Sequence, residues 1–335
     1  MRLGLLGCDA QVLRVVEAAR RRGDAIAVGC ELPADLAVPL AGVPRAESWQ
    51  VLLEPERCDA VIVGRDGWHD GRAEAVRVLV QAGRTLLLAQ PLELSMLWAY
   101  ELDMIRQDTG ARLVPLLTAR LHPFVGRLRA AIEAGLAGAG PLGRLESIGL
   151  VRRLGERTRE AVLACLAVDA DVVRVLAGDP ARLATLGAVD PDTAWPTLAV
   201  GFSGAGLVPT RWQVAPGGPD GLAITLQHAG GTIEVQAPDA PELPWTWSGP
   251  PPESLVCDTA GRLLDRLAGP PQAAEDVPAA DWSDAARAIE LAETVPRSLA
   301  RGRAIDLHRE EFSELGTFRG TMASLGCGLV LAGLL

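Results

Sequence analysis

Apolar residues in the first third of the chain come in short unbroken runs separated by amphipathic stretches. RLGLL (2–6), AIAVGC (25–30), CDAVIVG (58–64), RTLLLA (84–89) and ARLVPLL (111–117) read as strands buried on both faces. Between them, VLRVVEAARRRG (12–23), RAEAVRVLVQAG (72–83) and SMLWAYELDMIRQDTG (95–110) repeat apolar positions at helical spacing, the first two closed by Gly23 and Gly83. Strands alternating with helices predict a parallel, doubly wound α/β sheet, whose ligands sit at the carboxyl ends of the strands.

After residue 120 the rhythm changes. FVGRLRAAIEAG (124–135) and EAVLACLAVDADVVRVLAG (160–178) read as helices on either side of a long strand, GRLESIGLVRR (143–153). TLAVGFSG, GLVPTRWQVAP and LAITLQHAGGTIEVQAP then alternate with hairpin signals such as Ala229-Gly230-Gly231, which predicts a mainly antiparallel sheet. The proline-rich stretch 238–254 reads as a surface loop, and 281–307 returns to helix and strand. With 335 residues, two cores are expected. The division predicted is a dinucleotide-binding-like domain over 1–120, an α+β domain over 121–310 and an apolar tail over 311–335.

Composition narrows the chemistry. A net charge of −10, with arginines spread among the acids, excludes a nucleic-acid surface, which needs clustered positive charge. There is no lysine: all 32 basic residues are arginine. GC-rich codon bias accounts for the surface arginines, but the consequence remains that no ammonium group is available for proton transfer or a Schiff base. Cys8, Cys30, Cys58, Cys165, Cys257 and Cys327 are scattered, without a C-x-x-C pair or a histidine at ligand spacing. Buried reduced thiols are therefore expected, with no metal site and no disulfide framework. The start passes straight into a strand without the apolar stretch of a signal peptide, so a cytoplasmic protein is expected.

The order of features resembles the Gfo/Idh/MocA family of NAD(P)-dependent oxidoreductases over roughly residues 1–308. The resemblance rests on the opening βαβ pattern, CDAVIVG before a helix, AGRTLLLAQPLELS (82–95), RLHP (120–123), GPLGRLESI (140–148) and AETVPRSLARGRAIDL (292–307). It implies a Rossmann-type domain joined to an open antiparallel sheet that often makes the subunit interface, and sugar-like or polyol substrates. A homo-oligomer through that sheet is expected. The apolar residues that TLAVGF and LAITLQ place on both sides of their strands also point that way.

The departures fall on the residues that carry the family's chemistry. Its E-K-P lysine is replaced in Ala89-Gln90-Pro91, and a glutamine amide cannot take a proton near neutral pH. Aligning the helix end at Gly178 puts Ala164 and Val168 where the family has an aspartate and a histidine. Asp171 matches a further family aspartate, for which a structural hydrogen bond is expected. His69, Tyr100 and His228 lack a partner evident in the sequence, and so does His122. His122, following the last parallel strand, is the candidate acid or base, with Gln90 orienting substrate.

The glycine turn is also depleted. Of G-x-G-x-x-G only Gly7 remains, followed by Cys8, with Asp9 and Val12 in the later glycine places. A carboxylate at Asp9 is expected to satisfy the helix N-terminus and so to compete with a pyrophosphate. Glu31, at the end of the second strand, suits a ribose diol and disfavours a 2′-phosphate. If a dinucleotide binds, NAD is expected over NADP, contacted by Gly7, Cys8, Asp9, Glu31, Gln90 and Pro91. Two functions follow: a fold that has lost hydride transfer and serves as a binding, scaffold or regulatory protein, or an NAD-dependent dehydrogenase or reductase with an atypical acid. Residues 325–335 carry no charge, and the segment 316–335 is expected to reach a membrane or hydrophobic partner. Alternatives are a last buried element and the first half of a transmembrane helix.

Overall fold

The computed structural model describes residues 1–33, 40–187, 195–204, 208–268 and 277–307. The chain opens with β1 (Arg2–Leu6), α1 (Ala10–Arg21), β2 (Ala25–Cys30), β3 (Ala60–Val63), α2 (Asp70–Gln81), β4 (Leu86–Leu88), α3 (Met96–Thr109) and β5 (Leu113–Pro115). The five strands form one parallel sheet in the order β2-β1-β3-β4-β5. Strands covered on both faces cannot alternate, and Ala60, Val61, Ile62 and Val63 of β3 are all buried accordingly. A further parallel bridge, Gly29 to Arg45, extends the sheet beyond β2. The chain's strand order reverses between β1 and β3, and this switch point opens at Gly7 and Gly64.

Next come α4 (Pro123–Leu136), β6 (Leu145–Arg153), α5 (Arg159–Ala177), β7 (Arg182–Leu186), β8 (Leu198–Ser203), β9 (Thr210–Ala215), β10 (Gly221–His228), β11 (Gly231–Pro238), β12 (Trp245–Trp247) and β13 (Glu253–Leu255). Two helices, α6 (Thr259–Ala268) and α7 (Trp282–Arg301), and a short β14 (Ile305–Asp306) follow. The second sheet has nine strands in the order β13-β12-β11-β10-β6-β9-β8-β7-β14, antiparallel except where β6 meets β9. Its inner face buries Ile148, Leu150, Val200, Trp212, Ile224 and Val235 beneath α4, α5 and α7. The chain then returns to the first sheet: Leu263 and Leu264 of α6 and Trp282 and Ile289 of α7 join the core around β1–β5.

Three local features differ from the expectations. The stretch 238–254, expected as a loop, contains β12 and β13, with Trp247 packed into the second core. Its W-T-W alternation is flanked by prolines that are tolerated only at an edge, and β12 and β13 are the last two strands on that side. Helix α6 was hidden by its shortness and by Gly261, a poor helix former that is buried here. The outer face of the nine-stranded sheet is also less apolar than the strand patterns suggest. Ala199 and Gly201 of β8 and Ala223, Thr225 and Gln227 of β10 occupy it, opposite the buried Val200, Phe202, Ile224 and Leu226. No helix of the described residues is long and apolar enough to cross a membrane. The tail over 311–335 lies outside the described residues.

Candidate functional site

At the switch point the first turn of α1 meets the ends of β1, β2 and β3. Asp9 caps the helix: Oδ1 accepts from the Val12 amide at 2.9 Å, and Oδ2 accepts from the Arg65 amide at 2.6 Å. The carboxylate is almost fully buried, at 6% exposure. It thus occupies the amide-lined position that receives a diphosphate in dinucleotide folds, and presents like charge to any phosphate there. Gly7 keeps the left-handed backbone of the turn, at φ 71°. A Cβ added to it would collide with the guanidinium of Arg72, which reaches back from the first turn of α2. Arg72 Nε donates to Glu31 Oε2 at 2.7 Å, and Nη1 donates to the carbonyls of Asp66 and Gly64 at 2.7 and 3.0 Å. His69 Nε2 lies 3.2 Å from the same Glu31 oxygen. The carboxylate suited to a ribose diol is therefore already engaged. The residues at this cleft do not fit a dinucleotide.

The neighbouring loop is held from α1. Gln11 accepts from the Gln90 amide through Oε1 and donates to the Gln90 carbonyl through Nε2, both at 2.9 Å. Gln90 itself is 4% exposed, and its bond to Pro91 is cis. His122 sits elsewhere. It caps α4, with Nδ1 accepting from the Phe124 amide at 3.2 Å, and its ring stacks on Trp245 at 4.0 Å between centroids. Burial pushes its pKa down to about 4, against a nearby Leu255 backbone group that raises it. Buried, neutral and acting as a cap, His122 is placed as a structural residue. Among the other histidines, His69 caps α2 by accepting from Arg72 N, and His228 is buried at the end of β10.

A cavity of about 150 Å³ lies between the two sheets, lined among others by Gln11, Arg14, Thr118, Arg152, Val168, Asp169, Asp239 and Trp245. Val168 on α5 therefore does face the space where the resemblance puts a histidine, and brings only a methyl surface to it. Ala164, one turn earlier, is partly exposed and equally without a titratable group. The charged residues at the wall neutralise each other. Arg152 Nε and Nη2 both donate to Asp169, Nη1 donates to Asp239 at 2.7 Å, and the Trp212 indole donates to Asp169 Oδ2 at 2.8 Å. Burial works against the Arg152 charge, but Asp169 and Asp239 outweigh it and hold its pKa above the ordinary value. Arg14 closes one side by donating to the Asp239 carbonyl at 2.7 Å. Burial raises the Cys165 thiol to about 12, so it stays a thiol at neutral pH.

Asp171, two residues beyond Asp169, points away from this cavity. It accepts two bonds from Arg120, whose Nη1 donates to Asp284 of α7 at 2.9 Å. Burial pushes Asp171 upward, opposed by Arg120, and its role is to fasten α5 to the loop after β5. Sequence reasoning missed Arg72, Gln11 and the Arg152–Asp169 pair. Two aspartates inside the apolar helix VLACLAVDADVVRVL were the available signal, because a buried acid requires a partner. No disulfide joins the described cysteines Cys8, Cys30, Cys58, Cys165 and Cys257, and no group of three or more metal-ligating side chains occurs among the described residues.

No family model matches the sequence, and no curated protein does. Solved structures do match in fold. The WlbA dehydrogenase from Bordetella pertussis, in complex with NADH and UDP-GlcNAcA, is 17% identical over 92% of this chain and 99% of its own, with a TM-score of 0.70. A myo-inositol dehydrogenase from Corynebacterium glutamicum ATCC 13032 is 14% identical over 92% and 99%, with a TM-score of 0.68. An oxidoreductase from Agrobacterium radiobacter, in complex with NAD+, L-tartaric acid and magnesium, is 16% identical over 91% and 98%, also at 0.68. The likeness is one of fold: a Rossmann-like parallel sheet joined to a large, mostly antiparallel one.

Proposed function

We propose that this chain is a divergent Gfo/Idh/MocA-type protein that has lost hydride transfer and acts as a binding, scaffold or regulatory protein. The observation that carries this reading is the absence of a proton-exchanging group at three positions, of which Val168 lines the cavity between the sheets. Gln90, Ala164 and Val168 stand where the family resemblance puts lysine, aspartate and histidine, and no group among them exchanges a proton near neutral pH. Asp169 does not replace them, because Arg152 and Trp212 already occupy its oxygens. His122 is committed to the α4 cap.

The cavity suits a small, polar, sugar-like molecule. Arg152, Asp239 and Thr118 supply donors and acceptors, and Trp245 supplies an apolar ring of the kind that packs on sugar faces. We place the protein in the cytoplasm and assign it a homo-oligomer through the outer face of the nine-stranded sheet. Small outward residues such as Gly149, Ala199, Gly201 and Ala223 allow a second sheet to approach closely. Light scattering at micromolar concentration is expected to give a dimer, and a monomer alone would refute that assignment.

The deciding experiment combines NADH titration with turnover assays on polyols, inositols and sugars. No turnover is expected with either oxidised or reduced cofactor, while one of these small molecules should raise thermal stability. Saturable turnover would instead establish the second reading, an NAD-dependent dehydrogenase or reductase. Glu31 favours it by its place at the end of β2, although Arg72 holds its carboxylate in this structure.

A further inference from the structure

Arg72 is a charged residue at 3% exposure on a helix packed against an apolar parallel sheet. Burying a guanidinium is costly unless its donors are met. Here they are met by Glu31, Gly64 and Asp66, all at or just beyond the carboxyl ends of β2 and β3. Glu31 is the only non-glycine residue with positive φ among the described residues, at φ 53°. That uncommon backbone brings its carboxylate onto Arg72 and His69. The guanidinium itself lies against Gly7, where added side-chain volume has no room.

We infer that Arg72 is a built-in occupant of the nucleotide cleft. It covers the glycine turn, neutralises the acid that would hold a ribose, and with the Asp9 carboxylate on the α1 N-terminus keeps dinucleotides out. Asp9 alone would repel the diphosphate but leave the ribose side of the cleft open. Arg72 closes that side. The inference concerns cofactor exclusion and stands apart from the loss of acid and base groups at the cavity. A contrary role is equally concrete: an arginine beside a glycine turn that waits for a phosphate. The two roles predict opposite signs for the same substitution.

The test is NADH binding to the full chain, read by cofactor fluorescence and by calorimetry, for wild type, Arg72→Ala, Arg72→Met and the double variant Asp9→Gly/Arg72→Ala. Wild type is expected not to saturate at millimolar NADH. Arg72→Ala should tighten binding by about tenfold or more, the scale of one charged hydrogen-bond group, and the double variant further. Free guanidinium at low millimolar concentration should refill the gap in Arg72→Ala, raising its melting temperature and expelling NADH. Arg72→Met keeps the aliphatic stem and carries the test if the alanine variant fails to fold. Micromolar binding by wild type that weakens on removing Arg72 would make it a phosphate ligand and overturn the inference. Folded variants that bind no NADH would overturn it too, while leaving the loss of hydride transfer standing. NADH binding by wild type without turnover would likewise remove this inference alone.

Discussion

The cleft over the parallel strands and the cavity between the sheets adjoin each other along α1, yet their polar groups are spent differently. In the cleft, Arg72 and Glu31 bond each other, and Asp9 and Arg72 bond nearby backbone groups. In the cavity, Arg152 and Asp169 neutralise each other across the helix–sheet boundary, but Asp239 keeps its side chain 45% exposed at the mouth. On the inference drawn above, the first arrangement stands in for a ligand. The second leaves a polar lining that a ligand can use. On the reading proposed above, the difference locates retained binding capacity on the substrate side of the fold and not on the cofactor side.

The largest effect is expected where the cavity wall is welded. Asp169→Ala leaves Arg152, at 6% residue exposure, with Asp239 as its remaining acid and removes the acceptor of the Trp212 indole. Breaking such a buried pair costs about 3–5 kcal/mol. Urea unfolding should show a loss on that scale, whereas the isosteric apolar pair Arg152→Met/Asp169→Leu should recover much of it. If Asp169→Ala also released the Arg72–Glu31 contact, seen as new NADH binding, the two sites would be one network and the comparison would fail.

His122 provides the next effect, and its sign follows from the direction of its shift. A histidine held near pKa 4 in the folded state and near 6.5 when unfolded binds fewer protons folded than unfolded between those values. Its contribution is complete above about pH 6.5 and is lost as pH falls toward 4, roughly 3 kcal/mol in all. His122→Asn keeps a capping acceptor for the Phe124 amide but does not titrate. Melting curves of the two proteins should therefore diverge between neutral pH and pH 4, with wild type losing more. Parallel curves would show that the ring is not buried neutral beside Trp245.

The parallel sheet was legible because strands covered on both faces leave unbroken apolar runs, and the helices between them carry stop signals such as Gly23 and Gly83. The Asp9 cap was legible too, since an aspartate before an amphipathic helix has one dominant local use. What stayed hidden depends on pairs far apart in the chain. Arg72 and Glu31 are 41 residues apart and Gln11 and Gln90 are 79 apart, and no local periodicity marks either contact. Trp245 and Trp247 were masked by surrounding prolines, and the burial of His122 was not legible because position at a strand end says nothing about burial.

A smaller effect is expected at Asp9. Asp9→Ala removes the cap on Val12 and the acceptor for the Arg65 amide, costing about 1–2 kcal/mol, near the upper range for capping residues. The same change should favour NADH slightly by removing a charge beside the diphosphate position. Thermal melts and NADH titration on one preparation would show opposite signs. A variant that loses stability without any gain in NADH binding would leave Arg72 as the sufficient barrier.

The smallest expected effect is none. Gln90→Lys restores the one residue whose absence is plainest in the sequence, yet it should not give dehydrogenase turnover. An ammonium group at that position still lacks a proton relay, because Val168, which lines the cavity, is apolar. Catalytic groups that act as a unit are strongly non-additive, so one member alone recovers little. The cofactor side is unchanged, with Asp9 and Arg72 still in the cleft. Assays against inositols and sugars with added NAD+ should therefore match the wild-type background from pH 7 to pH 9. Robust turnover from this single change would place a working base elsewhere on α5 and make the cavity, not the cleft, the better-prepared half of an active site.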